Sequence, residues 1–273
     1  MSLPARRYAR VAAGPPAGAA PDPAPDPAIN AADPLGLIGT TLDERYRVDA
    51  LVAEGGFGYV YKGHQVRWNR PVAVKVLKLE RGDEALKQAF INEGALMNDL
   101  SRRTTAIAQS YDVGTFTDAG GRPRVFLAIE WLDGRTLADV IAAERKAATL
   151  VPWPLARVIE VLRPVAGALA VAHAKGIAHR DVKPANIFLA DEDGVRVTKL
   201  LDFGVAKIAA DHEAGFLVTG SAHAAFTLGY AAPEQISKRY GSTGPWTDVY
   251  ALAIVAVELL AGRRVDGGGN LFQ

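Results

Sequence analysis

The most constraining feature of the sequence is a polar cluster that lies between two apolar segments near the middle of the chain. It spans residues 179–186 and brings Asp181, Lys183 and Asn186 close together. An amphipathic helical pattern over 155–172 precedes it, and the apolar run 187–189 follows. Burying charged groups alone is costly. A carboxylate, a lysine and an amide at this spacing suit a site that orients a hydroxyl, neutralises a phosphoryl group and holds a metal ion.

A second unusual pair lies earlier in the chain. Glu93 falls on the apolar face of a helix predicted over 84–100, where a carboxylate needs a partner. Lys75 ends an apolar run within the strand predicted over 71–77. Lys75 could simply reach water, as lysines at strand ends do. The alternative explains both oddities together, because a Lys75–Glu93 pair would aim the ammonium at the α- and β-phosphates of a nucleotide.

A glycine-rich turn at 54–58 separates two strand-like segments, at 46–52 and 60–65. Glycines allow backbone amides to approach phosphate oxygens, although such a hairpin can also be only a turn. A dinucleotide-binding turn would lead into a helix, and a Walker A loop would end in Lys-Ser or Lys-Thr. This turn does neither.

Composition limits the classes of partner and the cellular compartment that we expect for this chain. Lys and Arg number 31 against 30 Asp and Glu, which disfavours a nucleic-acid binder driven by bulk charge. The chain has no cysteine, which excludes disulfides and cysteine zinc sites. The N-terminus has no secretory signal and the apolar run 249–261 is too short to cross a bilayer, so we expect a cytoplasmic protein without a membrane segment. Residues 1–40 hold 8 of the 16 prolines, and we expect them to form a disordered tail.

Two further segments complete a set, an acid at 202 within Leu-Asp-Phe-Gly and an Ala-Pro-Glu at 232–234. With the glycine-rich turn, the Lys75 strand and the polar cluster, in this order, they resemble the signature segments of protein kinases. The resemblance covers 41–262. Within it, the sequence is similar to bacterial members of the eukaryotic-type serine/threonine kinase family. It implies an α+β, bilobal fold, with a small antiparallel β N-lobe and one helix at 41–132. A larger, mainly helical C-lobe would occupy 133–273.

The resemblance also implies that the kinase domain is C-terminally truncated at residue 273. In relatives, an arginine from a later helix pairs with the glutamate matched by Glu234. Arg263 and Arg264 come too early in the chain to match it, so we expect Glu234 to lack its partner.

The resemblance implies ATP and Mg²⁺ as cofactors, with Mn²⁺ as a substitute, and it assigns roles residue by residue. Asp181 would accept the proton of the substrate hydroxyl, and Lys183 would stabilise the γ-phosphate. Asn186 and Asp202 would hold two magnesium ions. Ile129 would be the gatekeeper. Ala53 stands where the family has the first glycine of the glycine-rich turn. The ATP-binding positions would be Ala53, Gly55, Gly58, Val60, Ala73, Lys75, Ile129, Glu130, Leu132 and Phe188.

Specificity and regulation follow from the same resemblance. Lys183 and Thr227 match positions typical of serine/threonine kinases, with Thr227 in the substrate loop. Arg180 matches kinases that are activated by phosphorylation of the activation loop, for which Thr219 and Ser221 are the candidates. The alternative for these two is an ordinary solvated hydroxyl. A protein substrate and a homodimer that autophosphorylates in trans are the implied partners.

Asp248 resembles the aspartate that anchors the catalytic-loop backbone, and His179 resembles a residue that packs against Phe203. Three other functions compete with a kinase. A pseudokinase is opposed by the presence of Lys75, Asp181 and Asp202. A small-molecule phosphotransferase would lack the Ala-Pro-Glu segment and the long loop before it, and a pure interaction module would leave the polar cluster unexplained.

Overall fold

The computed structural model describes residues 33–55, 58–78, 84–147, 151–192, 194–203 and 229–264. The predicted phosphorylation sites Thr219 and Ser221 and the substrate-loop residue Thr227 lie outside the described residues, as do residues 1–32 of the expected tail. None of the helices in the described ranges is long and apolar enough to span a bilayer.

Six strands form one antiparallel sheet in the N-terminal half, in the order β1-β2-β3-β4-β6-β5. Their bounds are β1 (Thr41–Leu42), β2 (Tyr46–Glu54), β3 (Gly58–Gln65), β4 (Arg70–Leu77), β5 (Ser110–Thr117) and β6 (Pro123–Glu130). Along each strand the side chains alternate between the two faces of the sheet, because successive side chains point in opposite directions. In β4, Val74 and Val76 are buried in one core, whereas Ala73 packs against the other. Lys75 shares the face of Ala73.

Helix α1 (Glu84–Ser101) crosses from β4 to β5 and packs against β5 and β6. Its buried face carries Leu86, Phe90, Met97 and Leu100 at helical spacing, and Glu93 lies among them. The predicted helix and its apolar face therefore agree with the structure.

Within the described ranges, the C-terminal half contains four α-helices and a small sheet. Its elements are β7 (Gly134–Thr136), α2 (Leu137–Lys146), α3 (Leu155–His173), β8 (Ile187–Glu192), β9 (Val195–Leu200), α4 (Pro233–Ile236) and α5 (Pro245–Ala261). Strands β7, β8 and β9 form an antiparallel three-stranded sheet. Helix α3 packs against both α5 and β9. The expected bilobal arrangement, a strand-rich lobe with one helix followed by a mainly helical lobe, is confirmed.

Residues 33–40 depart from the expected disordered tail, because they pack against the first sheet. Leu37 is buried, and Gly39 N–H donates to the carbonyl of Val48. The carboxylate of Asp33 accepts hydrogen bonds from Ile38 N–H at 2.8 Å and from the Tyr61 hydroxyl at 2.9 Å. The boundary at residue 40 is therefore wrong for these eight residues, since a buried leucine and an aspartate bonded to the sheet hold them in place.

Candidate active site

Lys75 lies at the centre of an ion-pair triad that three separate segments build. Its Nζ is 3.3 Å from Glu93 Oε1 on α1 and 3.0 Å from Asp202 Oδ1, just after β9. The Glu93 side chain is only 2% exposed. Burial alone would lower the pKa of Lys75, but the charges of Asp202 and Glu93 outweigh it and raise that pKa. The triad therefore keeps a positive charge between α1 and the end of β9.

The polar cluster forms a loop in which a carboxylate accepts from two donors. Lys183 Nζ is 3.1 Å from Asp181 Oδ2. The Asn186 amide donates to the same Oδ2 at 2.9 Å and to the backbone carbonyl of Asp181 at 2.8 Å. The structure thus brings together the three side chains that the sequence singled out. It orients the carboxylate and places a cation beside it.

The backbone of this loop is anchored by Asp248, a fully buried residue on α5. Its two carboxylate oxygens accept hydrogen bonds from the N–H groups of His179 and Arg180, each at 2.7 Å. Arg180 has a φ of 62°, which costs an L-residue about 1 kcal/mol or more. Gln235 adds a bond from its side-chain amide to the Arg180 carbonyl at 2.8 Å. These three bonds hold the strained residue in place.

His179 is a packing residue in this structure. Its ring lies 4.8 Å from the ring of Phe203, centroid to centroid, and its Nε2 is 2.9 Å from the carbonyl oxygen of Leu201. Burial lowers its pKa, and the Leu201 carbonyl and nearby carboxylates only partly oppose that effect. The histidine therefore joins the loop at 179–186 to the segment that carries Asp202.

The two candidate metal ligands lie side by side, because Leu201 N–H donates to the Asn186 carbonyl oxygen at 2.8 Å. Asn186 uses its amide nitrogen on Asp181, which leaves the side-chain oxygen as the ligand atom. Across the described ranges, no group of three or more histidine or acidic side chains is arranged to hold a metal. Mg²⁺ at phosphate sites needs only one or two protein carboxylates beside phosphate and water oxygens. The oxygen donors of Asn186 and Asp202 therefore fit Mg²⁺.

The predicted adenine positions lie on paired strands and around the link to β7. Ala53 pairs with Val60 across β2 and β3, and Ala73 pairs with Ile129 across β4 and β6. Phe188 lies on β8, opposite Thr136 of β7. Leu132 packs at the edge of the larger core, just after Glu130 ends β6. Glu130 N–H already donates to the carbonyl of Gln109 at 2.9 Å, so any bond from this residue to adenine would use its carbonyl.

The flanks of the glycine-rich turn are held by contacts that sequence reasoning missed. Gly55 N–H donates to the Gly58 carbonyl at 2.8 Å. A Cβ at Gly58 would lie 2.5 Å from the carbonyl oxygen of Val76, so strand pairing itself requires glycine there. Lys78 Nζ lies 2.6 Å from Glu54 Oε1 and donates to the Gly55 carbonyl at 2.9 Å. No pattern in the sequence distinguishes Lys78 from a surface lysine.

A second missed network supports the segment just before the Ala-Pro-Glu motif. Glu258 on α5 is buried, and it accepts hydrogen bonds from the Tyr230 hydroxyl and from Arg145 Nη2 on α2, the latter at 2.6 Å. Burial and this bond raise the pKa of Tyr230, which stays protonated. The one available signal was an acid interrupting the apolar run 249–261.

The expectation that Glu234 lacks a partner is wrong. Its Oε1 accepts a hydrogen bond from the Thr247 hydroxyl at 2.7 Å, and the residue is only partly buried. A neutral hydroxyl at the start of α5 can satisfy a half-buried carboxylate without the arginine that the resemblance implied. No large free-energy cost attaches to Glu234 in this structure.

Comparison with known proteins identifies relatives over most of this chain. The family described as protein kinase domain matches residues 46–268. The chain is 39% identical over 230 residues to serine/threonine-protein kinase PknL of Mycobacterium tuberculosis, covering 84% of this chain and 52% of PknL. It is 37% identical over 229 residues to the probable serine/threonine-protein kinase CPE1738 of Clostridium perfringens, covering 83% of this chain and 30% of that protein.

The crystal structure of the M. tuberculosis PknI kinase domain is similar with a TM-score of 0.57 and 26% identity, covering 83% of this chain and 76% of that one. The chain thus spans about half the length of PknL, and less of CPE1738.

Proposed function

The chain belongs to the protein kinase family, and we propose that it transfers the γ-phosphate of ATP to serine or threonine hydroxyls of proteins. The observation that carries this proposal is the Lys75 triad, in which one ammonium joins Glu93 of α1 to Asp202 beside the catalytic loop. A pairing of this kind has little use in a purely structural module, because it costs desolvation of Lys75 and Glu93, whose side chains are 14% and 2% exposed. It suits a site that receives a polyphosphate.

The chemistry needs positioning and charge neutralisation more than covalent help from the protein. The substrate hydroxyl oxygen forms a bond to the γ-phosphorus as the bond to the bridging oxygen of ADP breaks. Asp181 accepts the hydroxyl proton, and Lys183, 3.1 Å away, offsets charge on the transferred group. Lys75 contacts the α- and β-phosphates.

Asn186 and Asp202 would hold Mg²⁺, and the same oxygen donors would accept Mn²⁺. When bound, the metal would neutralise phosphate charge and fix the geometry of the phosphate chain. Val60 and Ala73 would cover the adenine from the N-lobe, with Phe188 on the opposite side. The Glu130 carbonyl and the Leu132 N–H would hydrogen-bond the base.

The finer proposals concern partners and regulation. We propose that a protein is the phosphate acceptor and that the kinase phosphorylates itself in trans through a homodimer. Thr219 and Ser221 would be the acceptors, and Arg180 would pair with the resulting phosphate.

The test is incubation of the purified chain with γ-labelled ATP, Mg²⁺ and a mixture of serine, threonine and tyrosine peptides, followed by phosphosite mapping by mass spectrometry. We expect label on serine and threonine only, loss of label when Mg²⁺ is chelated, and no label with the Asp202→Asn variant. Label confined to tyrosine or to a small-molecule acceptor, or equal labelling by the variant, would contradict the proposal.

A further inference from the structure

Lys199 is a buried cation that the catalytic scheme does not use. It lies on β9, three residues before Asp202, and its side chain is 9% exposed. Its Nζ donates to both carboxylate oxygens of Glu130, each at 2.9 Å, and lies 3.0 Å from Glu192 Oε1. Burial would lower its pKa, but the two carboxylates outweigh burial and raise that pKa. Lys199 is therefore charged.

The partner of Lys199 is the residue that ends β6 and begins the link between the lobes. Glu130 Oε1 also accepts the Gln109 N–H at 2.8 Å, and the Glu130 N–H donates to the Gln109 carbonyl at 2.9 Å. The Glu130 side chain is thus fixed by a lysine from the C-lobe sheet and by backbone from the segment before β5. In register, Lys199 pairs with Phe188, the proposed floor of the adenine site.

We propose that Lys199 is a positioning residue for adenine recognition, which holds the Glu130–Leu132 link in its nucleotide-binding conformation through the Glu130 carboxylate. This inference rests on the proposed nucleotide site. Lys199 touches no part of the phosphate chemistry in this arrangement, so its contribution falls on the affinity for the base and not on the rate of phosphoryl transfer. Removing the ammonium leaves a carboxylate that is only 15% exposed without its strongest donor, and the link shifts or admits water.

The experiment measures adenosine binding by isothermal titration calorimetry, because adenosine reports on the adenine site without phosphates or metal. The variants are Lys199→Met, Lys199→Arg and Glu192→Gln. Arginine restores a cation with two donors for Glu130. Glu192→Gln is the matched control, since it removes the other carboxylate on Lys199, which is half exposed, and leaves the Glu130 pair intact. Thermal melts verify that each variant is folded at the assay temperature.

We expect Lys199→Met to weaken adenosine binding about tenfold, with Lys199→Arg and Glu192→Gln within about twofold of the parent. In kinase assays, KM for ATP should rise by a similar factor, with kcat and KM for the peptide unchanged. Unchanged adenosine affinity in folded Lys199→Met overturns the proposal and leaves the nucleotide site standing. Should Lys199→Met not fold, Glu130→Gln tests the same pair from the other side, and an unchanged affinity there overturns it equally. A parent chain that binds neither adenosine nor ATP refutes the nucleotide site and this role together.

Discussion

Replacing Lys75 and Glu93 singly and together tests whether the buried pair acts as one unit. At 3.3 Å and an effective dielectric constant of about 20, the Coulomb attraction between the two charges is about 5 kcal/mol. Desolvation of both groups offsets part of it, and breaking a buried pair by removing one partner costs about 3–5 kcal/mol. If about 3 kcal/mol of this appears in the transition state, the rate falls about 150-fold.

We therefore expect Glu93→Gln to lower kcat/KM about a hundredfold. Lys75→Met should lower it about a thousandfold, because Lys75 also pairs with Asp202 and is the proposed phosphate contact. Asp202 is 41% exposed, so water screens that second attraction. The double variant should match Lys75→Met within about threefold, since the pair is already broken. Independent contributions would multiply to about 10⁵ instead.

The assay is steady-state kcat/KM for ATP on all four chains, with thermal melts to confirm folding. The control is the Lys87→Met and Glu84→Gln cycle on the same helix, where the charges are 3.1 Å apart but the glutamate is 79% exposed. That exposed pair should show no coupling in kcat/KM. Additive losses at Lys75 and Glu93 would refute the reasoning, because they would show that the two side chains do not support one another during catalysis.

Three other predictions concern the catalytic loop. Asp181→Asn should cut kcat about a hundredfold or more with a nearly unchanged melting temperature, and activity within about twofold of the parent would refute its role as base. Asp248→Asn should lower the free energy of unfolding by about 2–4 kcal/mol in denaturant titrations, because an amide accepts only one of the two backbone N–H groups; an unchanged midpoint would contradict the anchor role. His179 has a lowered pKa in the folded chain, so the unfolded chain binds a proton first as pH falls below about 6.5. Below that pH the free energy of unfolding should drop by up to about 1.4 kcal/mol per pH unit. In thermal melts from pH 7.5 to 5, His179→Phe should lose that slope, and a slope equal to that of the parent would contradict the role of His179 in it.

The parts of the site that could be predicted from the sequence are those in which a residue type conflicts with its pattern. Glu93 in an apolar helical stripe requires a cation, and Lys75 on β4 provides it. Asp248 needed the resemblance, because a single acid in the first turn of a helix looks like an ordinary dipole partner. The α+β, bilobal fold class was predicted from the resemblance to protein kinases.

The missed contacts have two separate causes. Lys199 and Glu130 are 69 positions apart, and each looks like a surface residue in its own strand. Only the antiparallel pairing of β8 with β9, and the turn from β6 into the lobe link, bring them together. Residues 33–40 were missed because composition was averaged over the whole segment. Leu37 and Asp33 supply the packing, and the prolines before them dilute the signal.

Helix α5 connects several of the contacts described above. Thr247 bonds Glu234, Glu258 bonds Tyr230 in the same segment and Asp248 bonds the catalytic loop, so one helix fixes two segments that lie far apart in the sequence. A buried acid is costly unless it is paired, and here each polar side chain on the buried face of α5 has its partner in the site. The same hydrogen bonds thus stabilise the helix and fix the geometry of the site. A change that unpacks α5 should disturb the catalytic loop and the Ala-Pro-Glu segment together, whereas a change at Lys75 should leave both in place.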